Sequence, residues 1–269
     1  MSDIDYIAEL SEARLQLDHA RSSYKIRLRH LFPDTVLYAL AIDVAEHARA
    51  VGILVRSEVP RAAMVNARAA FESALDALLL VSDPSRYDER GMYARACELV
   101  EQENLIERMN AADAAIGKTR RRPVLNPEEV VAEEGEFWSQ ELTGAKERFL
   151  YTLKDVRSTS RWKKHWSGLG SFKQVAVELD RLEGPGRGLK EMADALYGLQ
   201  SMHSHPRPRI GMREIKTDAE GCVEFQTAAA DPQRAAAIAF LSCTLAKLAL
   251  DRKPPDEQPD ADSATLTDA

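Results

Sequence analysis

Three cysteines in 269 residues, Cys97, Cys222 and Cys243, are odd in number and widely spaced, and no C-x-x-C occurs. That excludes a disulfide framework and a cysteine-built zinc site, and it reads as reduced thiols in a cytoplasmic protein. Aromatics are only 6% and glycines only 13, while Ala and Leu dominate, a balance that favours helices over sheets. No Glu-x-x-His occurs, so the paired-helix carboxylate–histidine metal centre is not expected, and no cofactor is expected either. Gly-x-Ser-x-Gly is also missing, and Gly184, Gly186 and Gly188 are interrupted by Pro185 and precede a helix, which does not make a phosphate loop. The longest apolar run, Ala235 to Leu250, is broken by Ser242, Thr244 and Lys247; no membrane partner is expected from it. The charged opening segment, MSDIDYIAELSEARLQLD, predicts no leader peptide. Nor is there an excess of positive charge. The net charge is −7, and five acids after Pro254 account for most of it, so the body is close to neutral and sets up no general field for nucleic acid.

What the chain does have is helical periodicity with clear stops. Ser2 and Asp5 can cap a first helix running to about His30, with Ile7, Leu10, Leu17, Tyr24 and Leu28 on one face. Pro33 ends it, and Asp34 caps a second helix striped by Leu37, Leu40, Val44, Ala48, Val51 and Val55. Pro60 fits the first turn of a third, with Met64, Phe71, Leu75 and Leu79 inward. A fourth runs through Tyr93, Leu99 and Ile106 to about Ile116, and a fifth follows Asn126-Pro127 through Phe149 and Leu153. A short helix at 172–182 and another ending at His205 precede an alternating stretch, read as a small hairpin at about 209–227. Asp231-Pro232 opens a last helix to about Arg252, apolar on nearly all sides and suited to a central place or a dimer interface. The fold class is all-α: about seven helices in one bundle over residues 1–252, with a disordered acidic tail at 253–269.

Two sets of polar residues break the apolar pattern. Tyr197, Ser201 and His205 fall at steps of four on one face of a late helix, and Arg68 and Glu72, also four apart, sit among Met64, Phe71, Leu75 and Leu79. Buried charges need partners, so the economical expectation is one internal cluster of Arg68, Glu72, Tyr197, Ser201 and His205. Removing Glu72 from it should cost about 3 kcal/mol by stranding Arg68. Such a network sets helix register; where it opens on a cleft, His205 serves as a general base and Arg68 as an anion clamp. A second candidate is the basic-aromatic segment with Arg157, Arg161, Trp162, Lys163, Lys164, His165 and Trp166, which together with Arg120, Arg121 and Arg122 offers charge and stacking faces to RNA.

The run HWSGLGSFKQVAVEL and the later YGLQSMHSHP resemble the bacterial family called domain of unknown function 5677. The likeness spans roughly residues 35 to 250 and rests on an R-x-x-x-E helix (Arg68–Glu72), a Trp-x-Gly segment (Trp166–Gly168) and a Tyr-x-x-x-Ser-x-x-x-His helix (Tyr197–His205). The resemblance implies an all-helical fold without an agreed activity. It is similar in arrangement to the wider HEPN group of bundles, some of which are metal-independent ribonucleases in toxin and phage-defence systems. Those enzymes carry Arg followed by His after four to six intervening residues on a late helix. Ahead of His205 the slots hold Gln200, Leu199 and Gly198, and ahead of His203 they hold Gly198, Tyr197 and Leu196. Arg14 and His19 match the spacing elsewhere, out of that context. The first expectation is therefore an interaction or ligand-responsive bundle, with another copy or another protein as partner. The alternatives are a divergent ribonuclease using His205 with Arg68 or Arg207, and an RNA-binding module at 157–166.

Overall fold

The structure is a computed structural model that describes residues 4–118, 143–159, 165–183, 188–204, 213–217, 223–227 and 231–254. For residues 28, 143, 145, 197–204 and the two strands, only the backbone is described. Among the described residues there are eight α-helices: α1 (Tyr6–Ser22), α2 (Leu31–Arg56), α3 (Pro60–Val81), α4 (Tyr87–Ala115), α5 (Thr143–Ser158), α6 (Phe172–Glu183), α7 (Leu189–Ser204) and α8 (Pro232–Asp251). The fold is a helical bundle. Helices α1, α2, α3 and α8 form its centre, α4 and α5 pack together against α2, and the α6–α7 pair lies on α3.

The reasons are mostly local. Asp5 caps α1 by accepting the Ile7 N–H, and Asp231 does the same for α8 through Gln233. Pro60 occupies the first turn of α3, where its missing N–H costs nothing. The stripe of α3 buries Met64, Phe71, Leu75 and Leu78, each fully sequestered Leu contributing about 1.5–3 kcal/mol. Helix α8 has the length and apolarity to cross a membrane, yet 56% of its window is buried against α1, α2 and α3, which a central helix requires. A second, smaller apolar cluster joins α4 and α5, with Phe32 and Phe149 stacked at 4.5 Å.

The beginning of the chain departs from expectation. Helix α1 ends at Ser22, not near His30: the Ser22 and Ser23 hydroxyls bond back to the His19 carbonyl and close the last turn. Pro33 does not terminate a helix. It sits in the first turn of α2, which begins at Leu31. Asp34 is no cap either; it is fully buried, accepting from the Arg27 backbone N–H at 2.9 Å, Arg27 Nε at 2.7 Å and the Tyr87 hydroxyl at 2.8 Å. Arg27 also bonds the Pro254 carbonyl, and Lys253 Nζ reaches the Lys25 carbonyl at 3.1 Å, so the chain leaving α8 is fastened as far as Pro254.

The expected start of the fifth helix after Pro127 lies outside the described residues, as do the tail from 255 and Arg120, Arg121 and Arg122. The hairpin expected at about 209–227 lies partly outside them. Within it, Arg213–Thr217 and Val223–Thr227 pair antiparallel with Ile215 opposite Phe225.

Candidate functional site

Helix α3 carries its polar residues in one row. Arg68, Glu72 and Asp76 follow at steps of four, so they share a side of the helix, while Ala67, Phe71, Ala74, Leu75 and Leu78 bury the other. The Asp76 end of the row meets the turn that precedes α6.

Arg68 Nε and Glu72 Oε1 form an ion pair along the helix. Their side chains retain 25% and 27% exposure, so the expectation that they point into the core is corrected: they sit at its margin. The physical reason is their place along α3: Arg61 and Val65 near its start are exposed while Ala77 to Val81 at its end are all buried, so the middle of the row is only partly covered. The side chains of Tyr197 and Ser201, and His205 altogether, lie outside the described residues, as do Arg161, Trp162, Lys163 and Lys164.

Further along the row, Asp76 meets an imidazole from the basic-aromatic segment. His165 Nε2 stands 2.9 Å from Asp76 Oδ1, with side chains only 7% and 13% exposed. The approach is out of line for a hydrogen bond, and neither atom makes another one among the described residues. The opposite nitrogen is well occupied. His165 Nδ1 accepts the Ser167 backbone N–H at 3.2 Å and lies 2.6 Å from Ser167 Oγ, whose oxygen takes the Leu169 N–H at 3.3 Å. An accepting Nδ1 assigns the proton to Nε2, facing the carboxylate. The ring is held edge-on to Phe172 at 5.5 Å and lies 5.4 Å from Trp166.

The outcome is a seam of Arg68, Glu72, Asp76, His165 and Ser167 that ties a turn to the central helix. Carboxylate, imidazole and hydroxyl stand in sequence, the order of a proton relay, but here the hydroxyl also fastens its own turn. Trp166 packs against both apolar clusters, and Arg157 is engaged by Glu103 at 3.0 Å. The sequence does show one trace of the seam: Asp76 extends the Arg68–Glu72 step by four more residues. Nothing local pairs Asp76 with a histidine 89 positions away.

The two cysteines among the described residues, Cys97 and Cys243, are free and buried. Burial pushes both thiols up to about 12, which makes them poor nucleophiles. No group of three or more His, Cys, Asp or Glu suited to a metal ion occurs among the described residues.

A family model described as a family of unknown function (DUF5677) matches residues 34–221, well over half of the chain. No curated protein and no solved structure matches it.

Proposed function

The chain belongs to DUF5677, a family that brings no activity with it, and from the site itself we propose that the protein is a ligand-responsive helical module whose responsive element is the polar seam of α3. The observation that carries this is the His165–Asp76 contact. A carboxylate and an imidazole are held almost out of water between a central helix and a turn. An apolar pair would join the same elements at less cost in desolvation, so a polar join there is one that can answer to protonation or to a bound group. All five seam residues fall inside the stretch the family model matches. Interaction with a second copy or another protein is a further mode open to such a module.

The reading is one of binding rather than turnover. The test is a thermal-melting panel of small cationic, neutral and anionic compounds, run beside an RNA incubation. The expected result is a rise of several degrees with one class, lost in His165→Ala, and intact RNA. A panel in which no class moves the transition overturns it. So does RNA cleavage that Arg68→Ala and His205→Ala both abolish, which would establish the ribonuclease alternative.

A further inference from the structure

Against the Ser167 end of the seam lies a cavity of about 180 Å³, lined by Arg86, Arg90, Tyr93, Trp166, Ser167 and Glu178, among others. We infer that this cavity binds a small oxyanion, a carboxylate or phosphate group, held by the Arg90 guanidinium beside the Ser167 hydroxyl. The inference rests on the ligand-responsive reading and names the class of its ligand.

Arg90 is the reason. It retains only 8% of its exposure, yet no carboxylate among the described residues lies within ion-pair distance of it. Its hydrogen bonds run from one nitrogen, Nη1, to the Leu79 carbonyl and to Ser82 Oγ at 3.0 Å. The nearby acids are committed elsewhere: Glu89 to Arg86 at 3.1 Å, Glu178 to Arg181 at 2.7 Å, and Asp83 to Ser85. A guanidinium almost out of water without a directly paired counter-charge is costly, and an anion entering the cavity relieves that cost. Burial itself pushes Arg90 below its ordinary range and the like charge of Arg86 adds to this, while Asp83, Glu178 and Glu89 oppose the shift without reversing it. The planar fork still has Nε and Nη2 to offer, the pair of donors that matches a carboxylate or a phosphate edge.

Size narrows the class. Pockets for drug-sized ligands begin at about 300 Å³, so this one accommodates an anionic group and little beyond it. Position supplies the response: Ser167 lines the cavity and also touches His165, which faces Asp76 on α3. A ligand that draws on the Ser167 hydroxyl therefore acts on the turn that the seam fastens.

Calorimetric titration of the full chain at constant ionic strength, with inorganic phosphate and with acetate in separate arms, tests this. The expected result is saturable one-to-one binding of one of the two with a Kd of about 1 mM or tighter. Glu178→Gln removes a neighbouring negative charge and should tighten it on the order of fivefold, whereas Arg90→Met should abolish it. Should Arg90→Met fail to fold, the Glu178→Gln arm still decides, because tightening requires an anion and weakening contradicts one. No saturable heat from either anion, or weaker binding in Glu178→Gln, overturns the inference. If that happens while another class stabilises the protein in the melting panel, only the oxyanion falls. If the panel is silent too, the module reading falls with it.

Discussion

The contact between His165 and Asp76 makes a measurable demand on stability. Asp76→Ala takes the facing carboxylate away from a buried imidazole nitrogen; His165→Ala leaves a carboxylate with 13% exposure opposite a hole and also removes the ring from Phe172 and Trp166. Single-variant costs therefore mix several effects, and only the coupling between them isolates the contact. A hydrogen bond to a charged group contributes about 1.5–3 kcal/mol net. The approach at 2.9 Å is out of line, so the contact is a close electrostatic one without a hydrogen bond and falls no higher than the low end of that range. The double-mutant cycle should thus give a coupling of about 1.5 kcal/mol, with single costs of about 2 kcal/mol for Asp76→Ala and about 3 kcal/mol for His165→Ala. Urea unfolding followed by far-ultraviolet circular dichroism measures all four corners, provided the slope of the transition stays constant. A coupling within about 0.5 kcal/mol of zero, the ordinary scatter of independent sites, would mean that the two side chains do not act on one another and that the turn is held by packing alone.

Three more outcomes follow from the same structure. Glu72→Ala should cost about 1 kcal/mol in urea unfolding, not the 3 kcal/mol of a buried pair, because both partners are a quarter exposed and solvent screens them; a loss above about 3 kcal/mol would contradict that placement. Gly91→Ala should cost about 2–3 kcal/mol, since a Cβ there would lie 2.4 Å from the Pro33 backbone and push α4 off α2, while Gly52→Ala, whose nearest neighbour is the Arg56 guanidinium at 3.7 Å, should be neutral or stabilising; equal urea midpoints for the two would refute the close approach. Asp34 links pH to stability. Burial alone would raise its carboxyl, but the Arg27 side chain and backbone N–H, with the Tyr87 hydroxyl, more than offset this and hold it below its ordinary value. Its contribution is therefore complete above the unfolded carboxylate value of about 3.9 and is lost as pH falls through the lower folded one. Asp34→Asn should cost about 3 kcal/mol at neutral pH and flatten the acid limb of the stability curve; an unchanged limb would exclude Asp34 as its source.

Much of the fold was legible along the chain because its causes are local. Helix periodicity, the Asp5 and Asp231 caps and Pro60 in a first turn each act within a few residues, and they place α2, α3 and α8 without reference to anything distant. Where two local signals competed, position along the chain misled. Pro33 and Asp34 look like a stop and a cap, but a proline is tolerated in a first helical turn, and the carboxylate is worth more inward, where Arg27 and Tyr87 meet it.

The site divides the same way. The sequence by itself determined a polar row on α3, since steps of four put Arg68, Glu72 and Asp76 on one side whatever surrounds the helix. Only the tertiary structure decided which neighbours that row has, how far each member is buried, and that Arg90 lines a cavity while forming no ion pair with a carboxylate among the described residues. Pairing across 89 residues and the loss of water around a charge depend on how whole helices stack, and no spacing within one helix encodes them.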